Sequence, residues 1–122
     1  MTSIIEKTDA YEVEASDLVV VACQLETSGL RLELQSPTVN WTLAIEGGYA
    51  LEGRPMADLV GERVQGIRAR KRDGQLKVKG GEGWVLTVET DRDYEAWQIY
   101  STGGERLIAI PGGGVAVWTV AP

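Results

Sequence analysis

The chain contains no histidine and no phenylalanine, and it has one cysteine. Without histidine it lacks a Ser-His-Asp triad, an imidazole acid–base catalyst and the histidine ligands that zinc often uses. Cys23 has no partner for an internal disulfide and no histidine to activate it as a nucleophile. Because it lies in the apolar, β-branched stretch 18–23, we expect it to pack as a small hydrophobic residue. We therefore predict a protein without enzymatic activity, with no catalytic residue, metal or cofactor.

Long apolar runs are also missing. The longest uninterrupted one, residues 18–23, is far shorter than the ~20 residues of a membrane-spanning helix. The N-terminus lacks the basic stretch followed by an apolar stretch that marks a secretory signal. We expect a cytoplasmic protein with no membrane partner. At 122 residues the chain has the length of one domain with one core, to which four tryptophans bring much of the aromatic volume.

The most informative feature that is present is a pattern, W-x-L-x-[IV]-E, that occurs at residues 41–46 and again at 84–89. An alternating apolar stretch precedes each copy. Alternation with period two places Trp, Leu and Ile or Val on one face of a strand, so the pattern predicts core-facing strands. The repetition also predicts a pseudo-twofold fold in which residues 18–46 and 64–89 occupy equivalent places.

Short strand-like segments separated by glycine-rich turns fill most of the chain. The strongest turn signal is Asp73-Gly74, which predicts a hairpin. One helical turn is expected near residues 55–60, with Pro55 in its first turn. We predict an all-β domain over residues 18–122, an antiparallel sandwich or partly closed barrel of eight to nine strands, preceded by an acidic segment, 1–17, that pairs as an edge strand. The predicted strands are 18–25, 30–35, 40–46, 63–71, 75–80, 84–89, 95–100, 106–110 and 115–120.

Elements in the second half of the chain resemble a known family. After the Asp-Gly hairpin come E-A-W at residues 95–97 and P-G-G-G-x-A-V-W at 111–118. Together they resemble a family of small bacterial β domains of unknown function, over about residues 55–120. The resemblance implies a compact cytoplasmic bacterial β domain and supplies no catalytic residue.

Charge is distributed unevenly along the chain. Residues 54–79 hold eight of the twelve basic side chains against three acidic ones, a net charge of +5, so the remainder carries −11 of the total of −6. Basic and apolar residues alternate here, which predicts that one hairpin has a solvated basic face. The basic residues of this face are Arg68, Arg70, Arg72, Lys77 and Lys79, and the apolar ones are Ile67, Ala69, Leu76 and Val78. The same row could neutralise phosphates. Because the whole chain is acidic and the row has no aromatic residues, we predict no nucleic-acid partner.

An acidic loop is the better candidate for interaction. Residues 89–95 carry four carboxylates and a tyrosine. Their spacing does not match a calcium-binding loop, and a glycosidase pair would require a defined geometry. The simplest interpretation is a solvated loop without a function. The functional interpretation is a surface that binds a basic partner. For that surface we predict contacts from Asp91, Asp93, Tyr94, Glu95 and an exposed Trp97.

These observations favour a non-catalytic protein-binding domain. The most concrete form is a cytosolic immunity protein that neutralises a cognate bacterial toxin with a basic domain. Two alternatives stay open. One is a small-ligand-binding barrel whose cavity is lined by Trp41, Trp84 and Trp97, and the other is a structural module that associates with itself through an exposed edge strand. The sequence leaves the oligomeric state open.

Overall fold

The computed structural model describes residues 4–119, and in this range the chain forms twelve β-strands and one turn of 3₁₀ helix, Met56–Asp58. The strands are β1 (Ile4–Glu6), β2 (Ala10–Val13), β3 (Val19–Glu26), β4 (Gly29–Gln35), β5 (Asn40–Glu46), β6 (Ala50–Glu52), β7 (Val64–Arg70), β8 (Leu76–Gly80), β9 (Val85–Val88), β10 (Trp97–Ser101), β11 (Arg106–Ala109) and β12 (Val115–Trp118).

The strands form two antiparallel sheets of six. Sheet I has the order β1-β2-β7-β8-β9-β6, and sheet II has the order β12-β11-β10-β5-β4-β3. Each sheet has two edge strands, so neither closes into a barrel. The chain crosses between the sheets three times, after β2, β5 and β9. One contiguous hydrophobic core contains side chains from both sheets, as in a sandwich.

Alternation explains why these segments become strands. In β4 the buried residues Leu30, Leu32 and Leu34 alternate with half-buried polar ones, and in β8 buried Leu76 and Val78 alternate with exposed lysines. These two strands therefore place one row of side chains in the core and turn the other row toward water. Cys23 is half-buried against this core, and desolvation raises the pKa of its thiol.

The prediction of an all-β domain is confirmed, and each of the nine predicted segments contains a strand. The expected number of strands was too low, because β1, β2 and β6 were not counted. These strands have three or four residues, too few for a visible alternation. The expected helical turn is the 3₁₀ helix Met56–Asp58, and no helix among residues 4–119 has the length and hydrophobicity to span a lipid bilayer.

The two copies of the W-x-L-x-[IV]-E pattern occupy similar local positions. Strands β3-β4-β5 and β7-β8-β9 are both antiparallel meanders, with Trp41 near the start of β5 and Trp84 immediately before β9. Outside the meanders the likeness ends, because β5 next pairs with β10 whereas β9 pairs with β6. Equivalence of residues 18–46 and 64–89 therefore stays a prediction that applies to the meanders alone.

The acidic segment 1–17 contributes a hairpin to sheet I, with β1 at the edge and β2 against β7. Arg68 of β7 forms ion pairs with Asp9, at 2.8 Å, and with Glu12, at 2.6 Å. Lys71 pairs with Glu6 at 2.6 Å. Carboxylates at the start of the chain thus lie beside basic side chains of the β7–β8 hairpin. Residues 1–3 and 120–122, which belong to the predicted segments 1–17 and 18–122, lie outside the described residues.

Candidate functional site

Two of the crossings between the sheets meet at one end of the molecule. Residues 47–49 lead from β5 to β6, and residues 89–96 lead from β9 to β10. Between them lies a groove of about 330 Å³ whose polar lining includes Glu46, Tyr49, Glu89, Asp91 and Tyr94. We call it the acidic groove. Its two glutamates are the last residues of the two W-x-L-x-[IV]-E patterns.

The loop that carries Asp91 is fixed by hydrogen bonds to other parts of the chain. The carbonyl of Asp91 accepts a hydrogen bond from the N–H of Gly112 at 2.8 Å, and its carboxylate accepts one from the N–H of Asp93 at 2.9 Å. The Thr90 hydroxyl donates to the carbonyl of Asp73 at 2.9 Å. The loop therefore presents Asp91 in a defined position, supported by the turn before β12 and by the β7–β8 turn.

The opposite side of the groove is fixed in a similar way. The N–H of Glu46 donates to the carbonyl of Ala96 at 2.8 Å, which joins the two crossings. Gly47 has a φ of +84°, and the Tyr94 hydroxyl occupies the space that a side chain at residue 47 would need. Glycine is required here for both reasons, because other residues adopt this φ only with strain. The close approach seats Tyr94 against the end of β5.

The pKa of Tyr94 reflects the negative charge around the groove. The negative charge of Asp91 is the largest of the effects that raise the pKa of Tyr94 above its ordinary value of 10.0. Partial desolvation and a hydrogen bond to the Asp91 carboxylate act in the same direction, as do the charges of Glu46 and Asp93. The phenol therefore stays protonated at neutral pH, and its O–H donates to the Asp91 carboxylate.

The carboxylates around the groove have no cationic partners. Within residues 4–119, basic side chains lie within 4.0 Å of acidic groups at eight places, and none of these involves the carboxylates at positions 46, 89, 91, 93 and 95. Glu89 accepts a hydrogen bond from the amide of Gln75 at 2.6 Å, and Glu46 accepts one from the hydroxyl of Ser28 at 3.1 Å. These donors are neutral. Glu89 also attracts Arg70, whose pKa is raised mainly by its hydrogen bonds to Asp73 and, less strongly, by the charge of Glu89. Only exposed Arg92 adds a positive charge within the loop.

Of the five residues predicted from the sequence, the structure places two, Asp91 and Tyr94, in the lining of the groove. Asp91 lines the groove and is half-buried, and Asp93, Tyr94 and Glu95 are exposed. The expected exposure of Trp97 is wrong, because its side chain is 1% exposed and its indole N–H donates to the carbonyl of Gly74 at 2.9 Å. Trp97 alternates with polar neighbours along β10 and faces the core, so its side chain cannot contact a partner.

Sequence reasoning missed Glu46 and Tyr49, which come from a segment far from the acidic loop in the chain. A signal for Glu46 was present, since it ends the first copy of the pattern whose second copy ends at Glu89. Equivalent positions in two meanders predict glutamates at the same end of their strands. Nothing in the sequence indicates that Tyr49 faces Tyr94 across the same groove.

The three inner tryptophans lie in the core. Trp41 and Trp84 are fully buried with Trp97, and none of the three lines the acidic groove or the larger groove along β7 and β8. Neither groove therefore supports a ligand cavity lined by these indoles, which stays a prediction. The exposed tryptophan is Trp118, at 53%, on the edge strand β12.

A larger groove of about 890 Å³ runs along the outer side of β7 and β8, where the basic side chains of residues 63–79 lie. The predicted alternation is confirmed for the apolar residues, which are buried, and for four of the five basic ones, which are exposed. The exception is Arg70, which is half-buried and pairs with Asp73. Arg68 is already paired with two carboxylates of the chain. We assign less weight to this groove, because its central guanidinium is neutralised internally and its walls also carry acidic residues.

No group of three or more His, Cys, Asp or Glu side chains in the described range is arranged to hold a metal ion. Among known proteins, the model of one family, a family of unknown function, matches residues 13–119. No curated protein matches the chain, and no solved structure matches it. The match confirms the resemblance to a family without assigned function and extends it to the first half of the chain.

Proposed function

The chain belongs to DUF6188, a family of unknown function, and from that premise we propose that it is a non-catalytic domain that binds a basic protein through the acidic groove. In its most concrete form, the protein is a cytosolic immunity protein that neutralises a cognate bacterial toxin. A family without an assigned activity offers no catalytic residue to transfer. The proposal therefore rests on the groove itself.

The observation that carries the proposal is the set of five carboxylates at one end of the sandwich, none paired with a basic side chain in the described chain. Elsewhere the protein pairs carboxylates such as Asp9 and Glu12 with its own arginines. Unpaired charge of one sign attracts a partner of the opposite sign and raises its association rate. Toxins that cleave nucleic acids or nucleotides bind phosphates with cationic clefts, which are the kind of surface that such a site complements.

Two tyrosines support the same interpretation. Tyr49 and Tyr94 line the acidic groove, and tyrosine is one of the residues that most often anchors protein interfaces. Tyr94 is 42% exposed and uncharged, so it offers a ring face to a partner while its O–H donates to Asp91. The rings would supply affinity, and the carboxylates would supply rate and specificity.

The experiment has two stages. The tagged protein is first used to capture partners from its native host at low and moderate salt, and mass spectrometry identifies what is retained. Any basic protein captured is then expressed alone in a bacterial host, and growth is compared with and without the wild-type chain. We expect growth arrest that the wild-type chain relieves. We also expect an association rate that falls roughly tenfold at low salt in the Asp93→Lys/Glu95→Lys variant.

A matched control changes the net charge by the same amount at another place. Asp58 and Glu82 are exposed and form no ion pair in the described chain, so Asp58→Lys/Glu82→Lys should leave both association and growth rescue unchanged. If the Asp93→Lys/Glu95→Lys variant rescues growth as well as this control does, the acidic loop beside the groove is the wrong surface. If capture recovers no basic protein at either salt concentration, the immunity proposal is wrong.

A further inference from the structure

The four edge strands of the two sheets differ in how they are protected from pairing with other chains. Strands β1 and β6 have three residues each and end in Glu6 and Glu52. Strand β3 is interrupted by a bulge after Val20. The N–H of Val20 also donates to the carbonyl of Glu62 at 2.9 Å, so a connecting segment covers part of this edge. Short length, charge, bulges and coverage are the usual means of preventing association at sheet edges.

Strand β12 is one residue longer than β1 and β6 and lacks the other protections. Its four residues, Val115–Trp118, include no charged residue and no proline, and its pairing with β11 shows no bulge. It is the last strand of sheet II, and no backbone hydrogen bond within residues 4–119 is found on its outer side. The edge that ends in Trp118 is thus open, apolar and regular.

The register shows which backbone groups face outward. The N–H of Ile110 donates to the carbonyl of Gly114 at 3.1 Å, and residues of β11 and β12 continue in the same antiparallel register. Because hydrogen-bonded pairs alternate in an antiparallel ladder, Ala116 and Trp118 bond to β11. The N–H and C=O groups of Val115 and Val117 therefore point away from the sheet.

We propose that β12 pairs antiparallel with β12 of a second copy of this chain, around a twofold axis at Val117. In this register Val117 lies opposite its own counterpart, and Val115 lies opposite Thr119. The outward-facing N–H and C=O groups then meet in pairs, and two copies of sheet II form one continuous sheet. This inference concerns a different surface from the acidic groove and does not depend on the proposed function.

The side chains of β12 also favour a second copy of this chain as the partner at this edge. The same register places Trp118 of each copy opposite Ala116 of the other, on the outer face, so a large ring lies beside a small side chain at both ends of the contact. Trp118 is 53% exposed in one copy, and a neighbouring chain would cover part of that surface. The absence of charged residues on β12 favours the same contact. Each chain carries a net charge of −6, so two copies repel each other least where the contacting strands are uncharged.

The test is sedimentation velocity of the full chain over a range of about 5 to 500 µM, at low and at high salt. We expect the mass to rise from 13.2 kDa toward twice that value, with association stronger at high salt because the net charges are screened. Val117→Pro removes an outward donor while the bonds to β11 remain, and should weaken association by about tenfold or more. Val117→Ala retains the N–H and is the matched control, with association close to that of the wild type.

Hydrogen exchange of the wild-type protein gives a readout that needs no variant. Protection of the amides of Val115 and Val117 should increase with protein concentration, whereas Ala116 and Trp118 should be protected in the monomer already. Three results would overturn the proposal. One is a monomer at the highest concentration, another is a dimer that correctly folded Val117→Pro leaves intact, and the third is exchange at Val115 and Val117 that does not depend on concentration.

Discussion

The indole N–H of Trp97 donates a hydrogen bond of 2.9 Å to the backbone carbonyl of Gly74. Trp97 opens β10 in sheet II, whereas Gly74 lies in the turn between β7 and β8 of sheet I. The hydroxyl of Thr90 reaches the carbonyl of Asp73, in the same turn, at 2.9 Å. One hairpin turn is therefore joined both to the opposite sheet and to the loop of the acidic groove.

We predict that Trp97→Phe destabilises the protein more than Trp41→Phe does. Both indoles are buried, but the N–H of Trp41 has no hydrogen-bond partner within residues 4–119. The two substitutions remove similar volume, and only Trp97→Phe leaves a carbonyl without its donor, at a cost of about 1–3 kcal/mol. Urea denaturation of the two variants measures the difference. Equal losses would show that the Trp97–Gly74 bond contributes nothing beyond packing.

Gly80→Ala should destabilise the fold strongly. The indole of Trp84 occupies the space that a Cβ at residue 80 would need, and Trp84 is fully buried, so it cannot move aside without disturbing the core. Overpacking of this kind costs about 1–3 kcal/mol. The control is Gly66→Ala on the neighbouring strand β7, where a Cβ meets nothing within 4 Å. Thermal unfolding should show a clear drop for Gly80→Ala alone, and a matching drop in both would contradict the packing argument.

The ion pair in the β7–β8 turn predicts a pH dependence of stability. Hydrogen bonds from Arg70 are the main cause of the pKa of Asp73 being about 2 rather than 3.8, and desolvation partly opposes them. Because the pKa is lower in the folded state, the contribution is present above pH 3.8 and is lost as the pH falls toward 2. Asp73→Asn should therefore lower the urea midpoint at neutral pH, and its difference from the wild type should shrink over this acidic range.

The control for that experiment is Asp58→Asn, at an exposed carboxylate with no ion pair in the described chain. It should leave the urea midpoint close to that of the wild type throughout. A gap between wild type and Asp73→Asn that stays constant down to pH 2 would show that the Asp73 carboxylate is not stabilised by its charge.

The geometry of the acidic groove can be tested by titrating Tyr94. The difference between the absorbance titrations of the wild type and Tyr94→Phe isolates this phenol from the other tyrosines. Because Asp91 is the main cause of the raised pKa, Asp91→Asn should lower the pKa of Tyr94 toward 10.0. Asp58→Asn, which changes the net charge equally at another place, should not. If Asp91→Asn has no effect, the Tyr94–Asp91 contact does not exist in solution.

Much of the fold could be predicted because the alternation of apolar and polar residues indicates which face of a strand packs against the core. The same logic, applied consistently, places Trp97 on the inner face with Ile99, two residues further along β10. Its expected exposure rested on the frequency of tryptophan as an interface anchor, and alternation contradicts it. The short strand β6 could not be predicted in this way, because its three residues form a strand only by pairing with β9.

The groove itself required the tertiary structure. Residues 89–95 are adjacent in the chain, and their negative charge is visible in the sequence. Glu46 and Tyr49 reach the same place only because the chain changes sheets at the ends of both β5 and β9. Neither periodicity nor composition determines which crossings share one end of a sandwich.

In the acidic loop, the groups that hold the backbone in place differ from the side chains exposed to a partner. Its backbone is held through the carbonyls of Asp91 and Ala96, which accept hydrogen bonds from the N–H groups of Gly112 and Glu46. The exposed side chains from Arg92 to Glu95 do not make these bonds. Mutation at the tip can therefore alter the recognised surface while the scaffold stays the same, so closely related proteins of one lineage could diverge in what they bind before they diverge in how they fold.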